Sequence, residues 1–409
     1  MSQNDTVITT TTVPDSMTAR KQPGSIPLRI FAICLTSLVV SIHYTNYGPL
    51  IPTLISQLHI TKSQAGLLST FLFLGLIVMY IPSGTLADRF GQRPVLIVAA
   101  GIIVLGSILL PFSPNLPFLL FCRFIIGMGV GAAFVAGAGM ATTLGKYSAL
   151  GQGLYGGSIQ IGSGLGLLLT PTLLAHVGWR GTFLFYGLLS ILLIIVWLFI
   201  SDGHKIHKVS AIHVGAGLRS RAVWSLGLSH MGTFGIGNAI AAWYAVYLAY
   251  QYGLSVGLAA TLGSLVLLVG AIARPLGGIL IGRGIVKAIP LLRLGTILTC
   301  LGVTLLAIPL RFAPLTVTGM ICVGVGATIP YTSVFNEAAH LQKVSKGIAQ
   351  GLASMISTPT IILGAPLIGF LYGQTGNFTL AFGAIALFGC VAITASFLAG
   401  PAVKRETSW

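Results

Sequence analysis

Two arginines lie in segments that are otherwise almost entirely apolar. Arg274 opens the run Arg274-Pro-Leu-Gly-Gly, and Arg123 opens Arg123-Phe-Ile-Ile-Gly. An isolated guanidinium in hydrocarbon is costly, so each should face the protein interior and meet an anion or a cluster of carbonyl oxygens. The planar fork of Arg274 could bind a carboxylate-like or nitrate-like pair of oxygen atoms through two hydrogen bonds, which a lysine cannot do. Pro275 should also loosen the helix there. Arg274 is therefore the leading candidate for substrate binding.

Polar side chains in other apolar segments extend this chemistry. His43, Asn46 and Tyr47 share one face of a helix at 3.6 residues per turn. The remaining candidates are Gln160, His230, Asn238, Trp243, Tyr244 and Tyr331. Any single one is more often a satisfied hydrogen bond between helices than a ligand, but as a set they predict an aqueous central cavity lined for substrate binding.

Acidic residues are missing from the middle of every apolar segment. This disfavours carriers of sugars with protons and carriers of cationic drugs, which usually keep a carboxylate there. The sequence also contains no HExxH, GxSxG or paired-carboxylate arrangement and no metal-ligand spacing. Neither an enzyme nor a catalytic residue, cofactor or metal site is predicted.

Composition decides what must hold these side chains in place. Of the 409 residues, 55% are hydrophobic and only 7% are charged, which indicates an all-α polytopic membrane protein. The formal net charge of +16 would suggest nucleic acid in a soluble protein. Here the basic residues are explained by membrane topology, and no nucleic-acid partner is predicted.

Hydropathy predicts twelve transmembrane helices in two bundles of six. Residues 1–27 form a disordered N-terminal tail, 28–201 the first bundle, 202–221 a polar linker, 222–402 the second bundle and 403–409 a C-terminal tail. The spans are placed at 28–57, 62–88, 93–112, 116–144, 148–175, 179–201, 222–250, 256–283, 287–309, 314–339, 345–373 and 377–402.

The basic residues predict the orientation of these spans. With the N-terminus inside, only Lys62, Arg180 and Arg311 of the 22 Lys and Arg residues fall outside, while Arg123 and Arg274 lie within spans. By the positive-inside rule both termini, the tails and the linker are cytoplasmic and the membrane is the plasma membrane (the inner membrane of a bacterial cell).

The two halves of the chain repeat short sequences at a nearly constant offset. Gln152-Gly-Leu recurs as Gln350-Gly-Leu, and Gly278-Ile-Leu-Ile-Gly-Arg283 echoes a run that begins at Gly84, with Lys287 aligned to Arg93. A duplicated six-helix unit, with the substrate path between pseudo-symmetric halves near the membrane midplane, is the economical interpretation.

The run that begins at Gly84 carries a family resemblance. Gly84-Thr-Leu-Ala-Asp88-Arg89-Phe-Gly91-Gln-Arg93 places one acid and two bases between two spans, and it resembles the signature of the major facilitator superfamily, a family of secondary transporters. The resemblance implies that the motif is a gating element whose acid latches the two bundles in the outward-open state.

The second copy of this motif differs in a way that predicts a compensating acid. It lacks the acid at Gly282, whereas Glu337 stands near the end of the tenth span. We expect Asp88 to cap the eleventh helix near Ser345 to Gly347, and Glu337 to pair with Arg283 or Lys287. Glu337 could also simply lie in solvent at the membrane surface.

Further resemblance bears on the substrate. The fourth span has the family's arginine-plus-glycine pattern after Arg123, while the fifth lacks the Gly-Pro pair of drug antiporters. Arg274 followed by Gly-Gly resembles nitrate/nitrite and cyanate-type porters, although Tyr80 stands where nitrate porters have a second arginine. The expected function is secondary active transport of a small inorganic or organic anion by alternating access. Efflux of drugs or hydrophobic compounds is the alternative, followed by a non-transporting membrane sensor.

The remaining expectations concern energetics and partners. Uptake of an anion against an inside-negative potential of 100 mV costs roughly 2.3 kcal/mol per charge. We therefore expect anion exchange, efflux, or proton symport through His43 and His230, which are the only interior groups that titrate near neutrality. The lipid bilayer and the solute, with a proton or exchanged anion, are the only predicted partners of a functional monomer.

Overall fold

The computed structural model describes residues 25–200, 214–342, 344 and 346–407, and this part of the chain is helical without a β-strand. The α-helices are α1 (Ile26–Thr45), α2 (Ile51–Leu58), α3 (Lys62–Phe90), α4 (Gln92–Leu109), α5 (Leu116–Thr142), α6 (Ser148–Phe199), α7 (Val214–Arg219), α8 (Arg221–His230), α9 (Ile236–Ala241), α10 (Tyr244–Tyr252), α11 (Val256–Gly282), α12 (Ala288–Ala307), α13 (Ala313–Gly326), α14 (Tyr331–Ala339), α15 (Lys346–Ser357), α16 (Pro359–Thr375) and α17 (Thr379–Thr407). The predicted all-α class is confirmed.

Ten helices in the described residues are long and apolar enough to cross a membrane. The prediction of twelve spans fits these ten for two reasons. The 50-residue stretch Leu150–Phe199 is interrupted at Gly178, whose φ of 66° suits a residue without a side chain. The predicted seventh span is divided into α8, a π-helical turn at Met231–Gly235, α9 and α10, each too short to be counted by itself.

Two spans are broken at matching places, and the breaks touch each other. Between α1 and α2 lies a 3₁₀ turn at Gly48–Leu50, where Pro49 cannot donate a backbone hydrogen bond. Between α9 and α10 the helix is interrupted at Ala242 and Trp243. A Cβ added to Gly48 would lie 3.0 Å from the Ala242 carbonyl oxygen, so the two interruptions pack backbone to backbone.

Side-chain contacts repeat between the two halves. The Gln152 side chain donates to the carbonyl oxygen of Ala138 at 2.9 Å, and Gln350 donates to that of Phe335 at 3.1 Å. Both bonds join a span to the end of the one before it, as expected from the repeated Gln-Gly-Leu sequence. The duplication predicted from short matches thus has a structural counterpart.

A second repeated contact corrects the sequence alignment. Arg93 Nε donates to the carbonyl oxygen of Trp197 at 2.6 Å, at the end of α6. In the second half Arg293 Nε donates to Ser396 in α17 at 3.2 Å. Lys287, which the sequence aligns with Arg93, is instead an exposed residue before α12. The counterpart of Arg93 by contact is Arg293, because the loop before α12 is longer than the one before α4.

Glycines allow close contact between α6 and α11, which belong to different predicted bundles. A Cβ added to Gly157 would lie 2.9 Å from the Ala271 carbonyl oxygen, and one added to Gly153 would lie 3.1 Å from Pro275 Cα. Pro275 has no N–H, so it leaves the Ala271 carbonyl without its usual helical partner. The approach of α6 therefore occurs where α11 offers a free carbonyl group.

The predicted domain boundaries remain predictions. Residues 1–24 of the N-terminal tail and 201–213 of the linker lie outside the described residues. At the other end, α17 continues as a helix to Thr407, so the predicted C-terminal tail extends the last span by at least five residues beyond 402.

Candidate functional site

Arg274 lies buried in α11, with 1% of its surface exposed. Its Nη1 donates to the carbonyl oxygen of Gly156 in α6 at 3.0 Å, and its guanidinium carbon lies 4.4 Å from the ring centroid of Tyr331. Its Nε has no hydrogen-bond partner among the described residues. The guanidinium thus bridges two helices from different halves while keeping an unused donor.

Three tyrosines belong to the environment of this guanidinium. The ring of Tyr331 in α14 lies against it, Tyr155 of α6 precedes the Gly156 carbonyl that it binds, and Tyr44 of α1 packs at 6.5 Å on Phe234, which lines a cavity together with Arg274. Tyr155 donates to the carbonyl oxygen of Phe134 at 2.9 Å, whereas the buried hydroxyls of Tyr44 and Tyr331 have no partner among the described residues. A buried donor without an acceptor costs about 1–3 kcal/mol. The arrangement is suited to a ligand that only accepts hydrogen bonds.

His230 packs into the same cluster. Its ring stacks on Phe234 with centroids 5.2 Å apart and meets Tyr331 edge-on at 6.4 Å. Its Nδ1 lies 3.1 Å from Thr233 Oγ1. A π-helical turn begins directly after it at Met231–Gly235, and such turns occur frequently at functional sites. The histidine is thus joined to Arg274 through the ring of Tyr331.

Aromatic rings close the space on either side of Arg274. Toward the start of α3, Phe73 packs against Tyr44 at 5.2 Å and against Phe234 at 6.4 Å between centroids. Toward the end of α14, Phe335 packs against Phe134 of α5 at 6.4 Å. Both sets of contacts join the first half of the chain to the second. The conformation is therefore closed on both sides of the site.

The cavity beside Arg274 is small. Its volume is about 20 Å³, which is room for roughly one water molecule. Arg274, Gln160, Asn238 and Tyr244 line it, and the amide of Asn238 donates to the carbonyl oxygen of Phe234 in its own helix at 2.8 Å. The aqueous central cavity expected from the sequence is thus contracted in this conformation, although three of its predicted residues, Gln160, Asn238 and Tyr244, line it together with Arg274.

Arg123 belongs to a separate cluster within the first half. Its guanidinium donates to the carbonyl oxygen of Leu68 at 3.2 Å, to Asn46 Oδ1 at 3.2 Å and to the carbonyl oxygen of His43 at 2.9 Å. The ring of Tyr47 lies 5.4 Å from its guanidinium carbon. A buried arginine was expected to meet either an anion or a cluster of carbonyl oxygens. Arg123 meets a cluster of protein oxygen atoms.

Comparisons with known proteins agree with this architecture. The family model described as Major Facilitator Superfamily matches residues 33–358. The chain belongs to the major facilitator superfamily.

Relatives within this superfamily include transporters of anions. A nitrite extrusion protein of Bacillus subtilis is 27% identical over 351 residues, covering 82% of this chain and 86% of the relative. A probable nitrate transporter, NarT, of Staphylococcus carnosus is 26% identical over 386 residues, covering 91% and 95%.

Solved structures show the same fold. The human organic anion transporter MFSD10 superposes with a TM-score of 0.74 at 15% identity, covering 92% of this chain and 100% of that one. A proton:xylose symporter also gives a TM-score of 0.74 at 14% identity, covering 92% and 95%. The family match and the transporter relatives show that the protein is a membrane transporter of this superfamily and not an enzyme.

The facilitator signature lies at the junction of α3 and α4. Gly91 has a φ of 92°, which favours glycine at the tight turn between the two helices. Gly84 lines a cavity of about 40 Å³ together with Gly347 and Gln350 of α15, the predicted eleventh span. Arg89 is exposed, with its guanidinium carbon 5.1 Å from the ring of Phe90. The signature therefore faces the helix that it was expected to latch.

The acids assigned to gating are only partly described. The side chain of Asp88, like Ser345 in its expected partner helix, lies outside the described residues. Glu337 is half-buried in α14, and within the described chain it forms no ion pair with Arg283 or Lys287, both of which are exposed. The predicted pairing is not formed in this conformation, and the gating roles remain predictions.

Trp243 lies in the seam between the two halves of the facilitator. Its Nε1 donates to the carbonyl oxygen of Ala365 in α16 at 3.1 Å. Nearby on α16, the Lys62 ammonium lies 3.9 Å from the centroid of the Tyr372 ring. A Cβ added to Gly369 would lie 2.9 Å from the Trp243 ring and 2.8 Å from the Lys62 carbonyl oxygen. Trp243 holds the break of the seventh span against α16 and does not line the small central cavity.

Sequence reasoning selected Tyr331 but missed Tyr44 and Tyr155. It selected the helix face of His43, Asn46 and Tyr47, which in the structure faces Arg123. Tyr44 packs instead on Phe73 and Phe234, and Tyr80 packs on Phe134 at 5.9 Å. The signal available was the presence of tyrosines at buried depth in spans without any carboxylate.

Proposed function

We propose that the protein is a secondary transporter that moves a small inorganic or organic anion across the membrane by alternating access. The relatives named as nitrite extrusion protein and nitrate transporter support this proposal, as does the chemistry around Arg274. These relatives do not favour the alternative of drug or hydrophobic-compound efflux.

The observation that carries the proposal is a set of buried donors without acceptors. Arg274 Nε and the hydroxyls of Tyr44 and Tyr331 have no partner in the described chain. The acids whose side chains the structure describes are Glu337 and Glu406, and each lies near the end of its helix rather than beside Arg274. A ligand with acceptor oxygens and a negative charge would satisfy donors of this kind, whereas a cation would meet repulsion from the guanidinium.

The remaining polar candidates support two groups around the transport path. Gln160, His230 and Asn238 stand with Arg274 as substrate-binding residues. Arg123, with His43, Asn46 and Tyr47, forms the second group, in which the guanidinium would bind substrate by exchanging a protein oxygen for an anion oxygen. His43 has both ring nitrogens buried without a partner among the described residues, so it can accept a proton or a ligand bond.

Coupling follows from the sign of the substrate charge. Uptake of an uncoupled anion against 100 mV costs roughly 2.3 kcal/mol. Anion exchange, efflux, or proton symport through His43 and His230 each removes this cost. We place both termini in the cytoplasm because basic residues are concentrated in the loops on one side. We also assign the protein to the plasma membrane as a functional monomer. Gating would use Gly84, Asp88 and the rest of the α3–α4 signature against α15.

The test is anion flux into proteoliposomes, combined with binding to Tyr44→Phe and Tyr331→Phe proteins. Nitrate, nitrite, acetate and a small sulfonate are screened first by thermal shift on the purified wild type. The phenylalanine variants keep ring packing and remove only the hydroxyl, and loss of one hydrogen bond to a charged ligand should weaken binding roughly ten- to a hundredfold. Phe382→Tyr, in α17, is a control for ring chemistry elsewhere. Wild-type affinity in both variants, or stabilisation only by cations, would remove the proposal.

A further inference from the structure

Four exposed basic side chains are gathered at one corner of the second half. Arg219 ends α7, Arg221 begins α8, and Lys404 and Arg405 lie in the last turn of α17. We call these four residues the basic corner. Within the described part of the chain none of the four side chains makes a hydrogen bond or an ion pair, although the residues come from distant parts of the sequence.

Glu406 brings the two chain segments together. Ser220 Oγ donates to Glu406 Oε2 at 2.6 Å, and the backbone N–H of Ala222 donates to Oε1 at 3.2 Å. The carboxylate thereby caps the N-terminus of α8, where a negative charge is favoured. Because Glu406 is committed to this cap, four positive charges stand around one carboxylate, and the corner keeps a net positive charge that faces outward.

The corner lies at the boundary between hydrocarbon and water. Trp224, in the first turn of α8, is 45% exposed and donates through Nε1 to the carbonyl oxygen of Leu218 at 2.8 Å. Leu218 is itself 51% exposed. Exposed tryptophan next to basic residues is typical of the interfacial layer, where the ring meets lipid and the indole N–H meets polar groups. The basic side chains next to it are therefore at the depth of lipid headgroups.

We propose that the basic corner binds the phosphate group of an anionic phospholipid in the leaflet on that side of the membrane. Guanidinium and ammonium groups match phosphate oxygens in charge and donor geometry. Basic clusters that adjoin a transmembrane helix attract anionic lipids in this way. A lipid held here contacts the start of the seventh span and the end of the twelfth at once, so it strengthens the contact that Glu406 makes between them.

The experiment measures lipid binding to the full-length protein in uncharged detergent by native mass spectrometry. Dioleoyl phosphatidylglycerol and dioleoyl phosphatidylcholine are compared because they share acyl chains and differ in headgroup charge, and inorganic phosphate is added as a competitor. The test variants are the pairs Arg219→Gln with Arg221→Gln, and Lys404→Gln with Arg405→Gln. Lys287→Gln with Arg311→Gln is the matched control, since it removes two exposed positive charges outside the corner.

We expect phosphatidylglycerol to bind the wild type and the control pair with equal affinity. Both proteins should bind phosphatidylglycerol more tightly than phosphatidylcholine. Each base near the surface should contribute roughly fivefold in affinity, so each corner pair should lose about 25-fold. If a pair variant melts early, the single changes Arg219→Gln and Lys404→Gln replace it, with roughly fivefold losses expected.

Three results would overturn the proposal. An equal loss in the control pair would mean that net charge, not the corner, attracts the lipid. Equal binding of phosphatidylcholine would mean that the acyl chains determine binding. Displacement of phosphatidylglycerol by inorganic phosphate at equal concentration would identify the corner as a site for a free anion.

Discussion

The exchange of Arg274 for lysine is the sharpest test of the substrate site. In the structure the arginine makes one bond with Nη1, to the carbonyl oxygen of Gly156 at 3.0 Å, and leaves Nε free. A lysine ammonium is a compact group at the end of a flexible chain. It can donate to the Gly156 carbonyl or approach the ligand, but it cannot present a planar pair of donors to two ligand oxygens while keeping the bond to α6.

The expected magnitude comes from one lost charge-assisted hydrogen bond. Such a bond contributes about 1.5–3 kcal/mol, so the dissociation constant for the anion should rise roughly ten- to a hundredfold in Arg274→Lys. The positive charge is kept, so the fold should be kept as well. Arg274→Ala should lose binding further, because it also leaves the Gly156 carbonyl and the tyrosine hydroxyls without the charge that they surround.

The assay is isothermal titration of the anion identified by the substrate screen into purified wild type, Arg274→Lys and Arg293→Lys. Arg293 is a suitable control because its guanidinium also donates to a helix carbonyl. It lies in α12 and bonds to Ser396 of α17, so it does not belong to the Arg274 cluster. Arg293→Lys should bind the anion as the wild type does. Unchanged affinity in well-folded Arg274→Lys protein, or preferential binding of cations by the wild type, would refute the reasoning.

Three further predictions follow from the packing and from the sequence motifs. Gly157→Val should prevent the closed contact between α6 and α11, which would raise cysteine accessibility, and it should abolish transport. Gly383→Val, at a position with open space around it, should transport normally. Gly157→Val protein that still closes and transports would contradict this. If the histidines carry the coupling proton, the double change His43→Gln with His230→Gln should remove pH-driven accumulation, and accumulation that persists would exclude the histidine route. Asp88→Asn should shift the inward and outward populations in a fluorescence assay, and unchanged populations would exclude a latch at this residue.

The fold could be predicted from the sequence because membrane spans are encoded by composition over about 20 residues. The broken seventh span was harder to foresee, since the π-turn at Met231–Gly235 and the interruption at Trp243 depend on packing against α16 and α17. The break at Gly178 was visible as a glycine between two apolar runs. The repeat was also visible, but its register near α12 was wrong because the loop before Ala288 is longer than its counterpart.

Of the substrate site, Arg274 and Tyr331 were predicted from the sequence, whereas Tyr44 was missed. Arg274 could be found because an arginine in hydrocarbon is rare and expensive. Tyr44 could not be distinguished from Tyr47, because both are aromatic residues in one turn of the same helix and the sequence does not say which face meets Arg274. Periodicity placed His43, Asn46 and Tyr47 together correctly, and the structure shows that their shared face meets Arg123.

The closed conformation gives the buried donors a role in the transport cycle. Closing both aromatic layers around Arg274 leaves its Nε and the hydroxyls of Tyr44 and Tyr331 without acceptors in the described chain. Each such donor costs about 1–3 kcal/mol in the absence of a partner. A ligand stabilises one conformation over another only by its difference in affinity for the two. An anion that satisfies these donors is therefore expected to favour the closed state over the open ones, in which water can reach the same groups. Binding energy would then be used at the step where both sides are closed, which is the step that a carrier must pass through to reorient with its substrate.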